Sequence, residues 1–195
     1  MTFRQNILKA FYPLLMRLSK SSNKNAKKTR NKDDIKPVIP FYSLTATDIK
    51  GAKINFSLFK GKKIVIVNTA SDCGYTAQYA ELQELYNGSE EKFNLLGFPS
   101  NDFANQEKGN DDAIATFCKN NYSITFPLMK KSVVIKKAGQ NEIYEWLTDP
   151  GKNGWNSQQP DWNFSKYIIN EEGILTHYFG PAVSPLSEEF KLALG

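Results

Sequence analysis

The chain has 195 residues, 41% of them hydrophobic and 13% aromatic, which is enough for one well-packed domain and too short for two. Its net charge of +5 is concentrated at one end: residues 1–32 hold nine of the 25 Lys/Arg and no Asp/Glu, leaving 16 Lys/Arg against 20 Asp/Glu elsewhere. That distribution argues against a basic body that binds nucleic acid, and two cysteines, Cys73 and Cys118, are too few and too far apart for the disulfide framework of a small secreted protein.

Residues 1–36 read as a separate basic extension, amphipathic at first and then flexible, and 37–195 as the folded domain. Ile7, Leu8, Phe11, Leu14, Leu15 and Leu18 recur at helical spacing, with Arg4, Lys9, Arg17 and Lys20 between them. Pro13 is expected to kink or end such a helix, because it removes a backbone donor and clashes with the preceding turn. No uncharged stretch approaches the roughly 18–20 residues that span a bilayer, and Lys9 and Pro13 interrupt any signal-like apolar run. Two readings stay open: a partly disordered tail, or a peripheral membrane contact in which residues 3–20 rest on an anionic surface. The expected location is cytoplasmic, peripheral to a membrane, or in an organelle if the source is eukaryotic, since an acid-free basic tail also fits a presequence.

From Pro40 onward, strands and helices alternate. Residues 41–47 and 53–56 read as a hairpin around 48–52. Ile64-Val65-Ile66-Val67 marks a strand over 62–68 that is covered on both faces, because no polar residue alternates with the apolar ones. A helix is predicted over 77–87, an apolar strand over 93–98, and a helix over 113–121 favoured at its start by Asp111 and Asp112. A strand over 129–135 and a short helix over 143–148, stopped by Asp149-Pro150-Gly151, come next. Strands over 167–169 and 175–179 meet at Glu171-Glu172-Gly173, and a helix over 187–194 closes the chain. This order predicts an α/β sandwich with a mixed sheet.

Cys73 stands where the central strand gives way to a helix. The unpaired N–H groups and positive dipole end of that helix would favour thiolate, with a pKa of roughly 3.5–7.5 in place of about 8.5. The plainer reading is a buried Cys that packs as a small hydrophobe. A thiolate that attacks a peroxide O–O bond needs donors for the departing oxygen, and uncharged donors stand at the ends of other strands: the Gln106 amide, the Trp162 indole and the Asn163 amide. Taken singly, Gln106 also reads as a loop residue, Trp162 as a core anchor and Asn163 as a turn former. The lone histidine, His177, reads as a strand-surface residue, and no Cys/His cluster has metal spacing.

Three blocks, Asn68-Thr69-Ala70-Ser71-Asp72-Cys73-Gly74-Tyr75-Thr76, then Gly97-Phe98-Pro99-Ser100-Asn101-Asp102-Phe103-Ala104-Asn105-Gln106-Glu107-Lys108-Gly109, then Trp162-Asn163-Phe164, resemble in order and spacing the signature blocks of the glutathione peroxidase family. Thr125-Phe126-Pro127 adds a fourth match, and the likeness covers about residues 40–192. The resemblance implies a thioredoxin-like fold, a central mixed β-sheet flanked by helices with an N-terminal β-hairpin. It also implies reduction of hydrogen peroxide and organic hydroperoxides. It places Cys73 as the peroxidatic residue, with Gln106, Trp162 and Asn163 completing an active-site tetrad, and Cys118 as the resolving cysteine of cysteine-type, thioredoxin-dependent-like members. No cofactor and no metal are implied, and the reductant is thioredoxin or glutathione.

Departures from the family pattern refine that expectation. Ser100 and Asp102 stand where Cys and Gln are frequent, so no third thiol serves as a resolver. Gln78 stands where glutathione-using relatives carry an Arg, which weakens the case for a ligand with two carboxylates. The stretch 149–161 is short where tetrameric members carry a longer loop, so a monomer or weak dimer is expected. The competing function is a peroxide sensor or relay, which begins from the same sulfenic acid.

Overall fold

The computed structural model of the chain describes residues 1–19, 25–89 and 91–195. The β-branched run forms the middle of β4 (Lys63–Thr69), in which every residue after Lys63 is buried. Stiff branched side chains pack well on a pleated surface, and burial of both faces is what a central strand requires. β4 pairs in parallel with β5 (Phe93–Pro99) and antiparallel with β6 (Lys166–Ile169). β6 runs antiparallel to β7 (Leu175–Phe179), and β7 to β1 (Lys28–Arg30), giving the sheet order β1-β7-β6-β4-β5. The hairpin β2 (Thr45–Thr47) and β3 (Lys53–Asn55) forms a second, two-stranded sheet.

The alternation of β4 divides the core in two. Val65 and Val67 face α2 (Gln78–Tyr86), α3 (Asp111–Tyr122) and α6 (Glu188–Leu194), in a cluster that includes Cys73 and Cys118. Ile64 and Ile66 face the hairpin and α4 (Glu142–Thr148), around Phe41, Trp146 and Tyr144. Asp149 ends α4 and caps the single turn α5 (Pro150–Asn153) by accepting from the Gly151 N–H at 2.9 Å. Both cysteines therefore lie on one face of the sheet.

Three expectations change. The segment 129–135 is not a strand. Met129 donates to the Gly97 carbonyl at 2.8 Å beside β5, but side-chain carboxylates then take the N–H groups that a ladder would use: Lys131 donates to Asp111 at 2.8 Å and Val134 to Asp102 at 2.6 Å. The polar run expected as flexible linker contributes β1, whose Arg30 lies opposite His177. Residues 20–24 of the extension, including Lys20 of the expected amphipathic segment, lie outside the described residues.

The third change is at Pro13. Helix α1 (Phe3–Ser19) runs through it unbroken. Packing on either side of the proline offsets the lost backbone bond: Gln5 Nε2 donates to the Ser71 carbonyl at 3.1 Å, the Tyr12 hydroxyl donates to Glu81 at 2.7 Å, and Tyr12 and Met16 are buried. A helix of this length takes most of its stability from such tertiary contacts, so local propensity loses.

Candidate active site

The end of β4 is tied to the neighbouring motif block by one side chain. Asn68 Nδ2 donates to the Trp162 carbonyl at 3.1 Å, its Oδ1 accepts from the Ser165 N–H at 3.1 Å, and its own carbonyl accepts from Phe164 at 2.6 Å. Phe164 sits in the left-handed region at φ 66°, a strained conformation for a bulky residue that turns Trp162 and Asn163 back toward the strand end. The chain then makes a loop rather than a helix start. Thr76 donates its hydroxyl to the Ala70 carbonyl at 2.8 Å and accepts from the Cys73 N–H at 2.9 Å, stapling both ends of the loop.

Cys73 sits inside that staple and is 1% exposed. The Tyr75 N–H points at its sulfur at 3.4 Å, and the side chains of Asn163 and Trp162 hydrogen-bond to it. Asn163 Nδ2 also donates to Gln106 Oε1 at 2.9 Å, and the Gln106 carbonyl accepts from the Asp72 N–H at 3.0 Å. Ala104 and Asn105, just before Gln106, are both left-handed at φ 50° and 52°, and Trp162 packs on Phe103 with ring centroids 5.4 Å apart. The structure thus brings Cys73, Gln106, Trp162 and Asn163 together.

The expected lowering of the Cys73 pKa is not what the fold produces. Burial pushes the thiol up, and the Tyr75 N–H, Asn163 and Trp162 only oppose that push. Two causes explain the correction. Helix α2 begins at Gln78, so its free N–H groups are not next to the sulfur, and α1 lies over the loop. Shutting a thiol off from water disfavours its thiolate, and the donors here offset only part of that.

Cys118 is also a free, buried thiol, in the second half of α3. Burial raises its pKa to about 12, with the Tyr79 hydroxyl opposing that rise and the Glu107 carboxyl adding to it. Its carbonyl accepts at the helix end, from Ile124 at 3.4 Å, and Ser123 ends α3 in the left-handed conformation at φ 52°. Beside it runs a cleft of about 500 Å³ between α3, Phe126 and the hairpin residues Ile49 and Ile54.

Several residues that shape the site were not singled out from the sequence. Glu107 is 2% exposed and accepts from the Ser71 hydroxyl at 2.9 Å. Burial raises its carboxyl to about 7, with Ser71 and Lys131 opposing and Asp72 adding. Asn68 and Thr76 lie inside the motif block, and only their contacts mark them. Asp102, read as a departure, ties the Gln106 loop to the next segment: it accepts from Ser100 Oγ at 3.0 Å, from the Val134 N–H and from Lys137 Nζ at 2.6 Å. Burial works to raise its carboxyl, yet Lys137 and the Val134 N–H hold it below the usual value. Gln78 is buried and donates to the Pro181 carbonyl at 2.6 Å, so it does not face a ligand. His177 stacks on Phe179 and lies away from these residues in the contacts it makes.

A buried thiol at the edge of an α/β sandwich, bonded by an amide and an indole and linked through them to a second amide, defines a thiol-dependent oxidoreductase. The comparisons with known proteins give the class its family. The family model for glutathione peroxidase matches residues 41–148. Glutathione peroxidase-like peroxiredoxin 2 of Saccharomyces cerevisiae is 39% identical over 148 residues, covering 75% of this chain and 91% of the relative. A glutathione peroxidase of Lactococcus lactis is 37% identical over 157 residues, covering 79% and 99%. The crystal structure of T. cruzi GPX1 superposes with a TM-score of 0.59 at 28% identity, covering 79% of this chain and 94% of that one. The chain belongs to the glutathione peroxidase family, with the thioredoxin-like fold and the peroxidase activity that define it.

Proposed function

We propose that this peroxidase works through a Cys73 sulfenic acid resolved by Cys118. The observation that carries the reading is the convergence of the Trp162 and Asn163 side chains on the Cys73 sulfur, with Gln106 held by Asn163. The Cys73 thiolate attacks one oxygen of the hydroperoxide: an S–O bond forms, the O–O bond breaks, and the other oxygen leaves as water or an alcohol after taking a proton. Fixed uncharged donors stabilise charge on both the sulfur and the departing oxygen without rearranging during the step. Gln106 Oε1 is occupied by Asn163, so the group it has to offer a substrate is its amide N–H₂ donor.

Cys118 then attacks the sulfenic sulfur, water leaves, and a disulfide forms. Because Cys118 sits within α3, part of that helix unwinds first, as low-stability functional segments do. An external dithiol of the thioredoxin type reduces the disulfide by exchange. The peroxiredoxin-like naming of the relatives and the buried Gln78 support that reductant over glutathione. We take residues 37–195 as the catalytic domain and 1–36 as an extension folded onto it, in a monomer or weak dimer. The apolar and basic character of α1 supports peripheral membrane contact through that helix; no described helix is long and apolar enough to cross a membrane.

The deciding experiment measures hydrogen peroxide consumption coupled to NADPH, once through thioredoxin and its reductase and once through glutathione and its reductase. Faster turnover with thioredoxin is expected. Turnover with glutathione alone overturns the assigned reductant.

A further inference from the structure

Helix α1 lies outside the segment that the family model matches, and it grips the peroxidatic loop on both sides of Cys73. Arg4 pairs with Asp72, Gln5 Nε2 donates to the Ser71 carbonyl, and a Cβ built on Gly74 would lie 2.9 Å from Leu15 Cδ2, so Leu15 fills the notch that the glycine leaves. Further along, Tyr12 holds Glu81 and Met16 lies against Gln78. A pocket of about 300 Å³ remains beneath the first turn of α1, walled by Arg4, Ser71, Asp72 and Gln106. The inner face of α1 is thus a cover on the catalytic thiol.

The outer face is of a different kind. Phe3, Ile7, Phe11 and Leu14 are 82%, 41%, 61% and 52% exposed, at spacings of four, four and three residues that line them up on one side of the helix. The helix leaves more large apolar side chains in water than it buries. Arg4 and Arg17 flank this stripe, while Lys9 reaches away from it over the Tyr122 ring, 5.4 Å from the centroid; the segment has no acidic residue, so its outer face is complementary to anionic headgroups.

We propose that α1 is a membrane-responsive lid, in which docking of the Phe3–Ile7–Phe11–Leu14 stripe on an anionic lipid surface loosens the inner contacts and opens Cys73. A ligand shifts a conformational equilibrium only if it binds the two states differently, and Arg4 supplies that difference. In the closed state its guanidinium is committed to Asp72; at a membrane the lipid phosphates compete for it. Asp72 Oδ1 is buried without a hydrogen-bond partner among the described residues in the closed state, so lifting α1 also hydrates a carboxylate oxygen that the lid leaves unsatisfied. The inference rests on the peroxidase reading only for the importance of Cys73.

The test is alkylation of the full-length reduced protein by iodoacetamide, followed at Cys73 by peptide mass spectrometry, so no turnover is required. Vesicles of phosphatidylglycerol and phosphatidylcholine are expected to sediment the protein and to raise the Cys73 rate roughly tenfold, within the usual range of coupling between sites. Vesicles of phosphatidylcholine alone should do neither. Phe11→Glu combined with Leu14→Glu should lose both effects while keeping the lipid-free rate, and Arg4→Gln should raise the lipid-free rate. The lid is refuted if anionic vesicles bind the protein but leave the Cys73 rate unchanged. It is refuted equally if they do not bind it, or if the stripe proves to close a dimer that the double variant abolishes. Failure of the peroxidase reading would show instead as unchanged peroxide turnover in Cys73→Ser.

Discussion

Cys73 and Cys118 are both buried on the same face of one sheet, and burial raises the pKa of both, yet their surroundings prepare them for different work. Cys73 lies in a stapled loop where a backbone N–H, an indole and an amide all reach its sulfur. Cys118 lies in a regular helix, with a tyrosine hydroxyl beside it and a carboxyl that opposes ionisation. The first thiol needs only access to water and substrate for its donors to act. The second, if it is to resolve a Cys73 sulfenic acid as proposed, needs its backbone to change. One site holds donors already in place around its sulfur, and the other, on the proposed mechanism, requires α3 to unwind locally.

The sharpest way to break this contrast is to remove the first thiol. Cys73→Ser is expected to lower peroxide turnover by at least about a thousandfold, because a hydroxyl in that setting is not ionised. Coupled NADPH oxidation measures it, and full turnover would end the assignment. Cys118→Ser should separate the two halves of the cycle: one equivalent of peroxide is still consumed in a stopped-flow experiment, while steady-state recycling by thioredoxin is lost. Unaltered recycling would remove Cys118 from the mechanism.

Smaller changes sharpen the account of the donors. Asn163→Ala removes the Cys73 contact and frees Gln106, and a loss of about 100-fold in the rate of sulfenic acid formation is expected for one prearranged donor. A loss confined to thermal stability would reassign Asn163 to architecture.

Glu107 gives a pH-dependent test. Its folded pKa of about 7 lies above its ordinary value of 4.5, so the folded state favours the protonated carboxyl. Its contribution to stability is complete below the unfolded pKa and is lost as pH rises through the folded one. Glu107→Gln should therefore remove a decline, at most about 3 kcal/mol, that the parent protein shows between those two values. Urea unfolding at both ends of the window measures it. Asp102→Asn should show the opposite sign with a smaller amplitude: its carboxyl is lowered in the fold, so its stabilisation is present above the unfolded pKa and fades as pH falls through the folded one. Equal acid unfolding of the two proteins would deny Asp102 that role.

Much of the architecture was legible in the chain because it is written in local pattern. Four β-branched residues in succession are best accommodated in a strand covered on both faces, and β4 is that strand. The Asn110 side chain accepts from the Ala113 N–H at 2.9 Å, and Asp111 and Asp112 follow at the positive end of α3, so this helix start is decided by neighbours in sequence. The segment 129–135 shows the limit of such reading. Its propensity is that of a strand, but carboxylates from Asp111 and Asp102, 20 and 32 residues distant in sequence from the groups they hold, take its N–H groups.

The site divides in the same way. The chain alone was enough to nominate Cys73, Gln106, Trp162 and Asn163, because a thiol, two amides and an indole in three ordered blocks supply a nucleophile and uncharged donors and match the family's signature blocks. Only the tertiary structure decided the state in which they are held. Side-chain staples from Asn68 and Thr76 set the loop, the buried Glu107 and the part-buried Asp102 took opposite shifts, and a helix that runs through a proline came to lie over the Cys73 loop. Ionisation and access depend on what surrounds a group in space, and residues as far apart in the chain as Gln5 and Ser71 supply those surroundings only after folding.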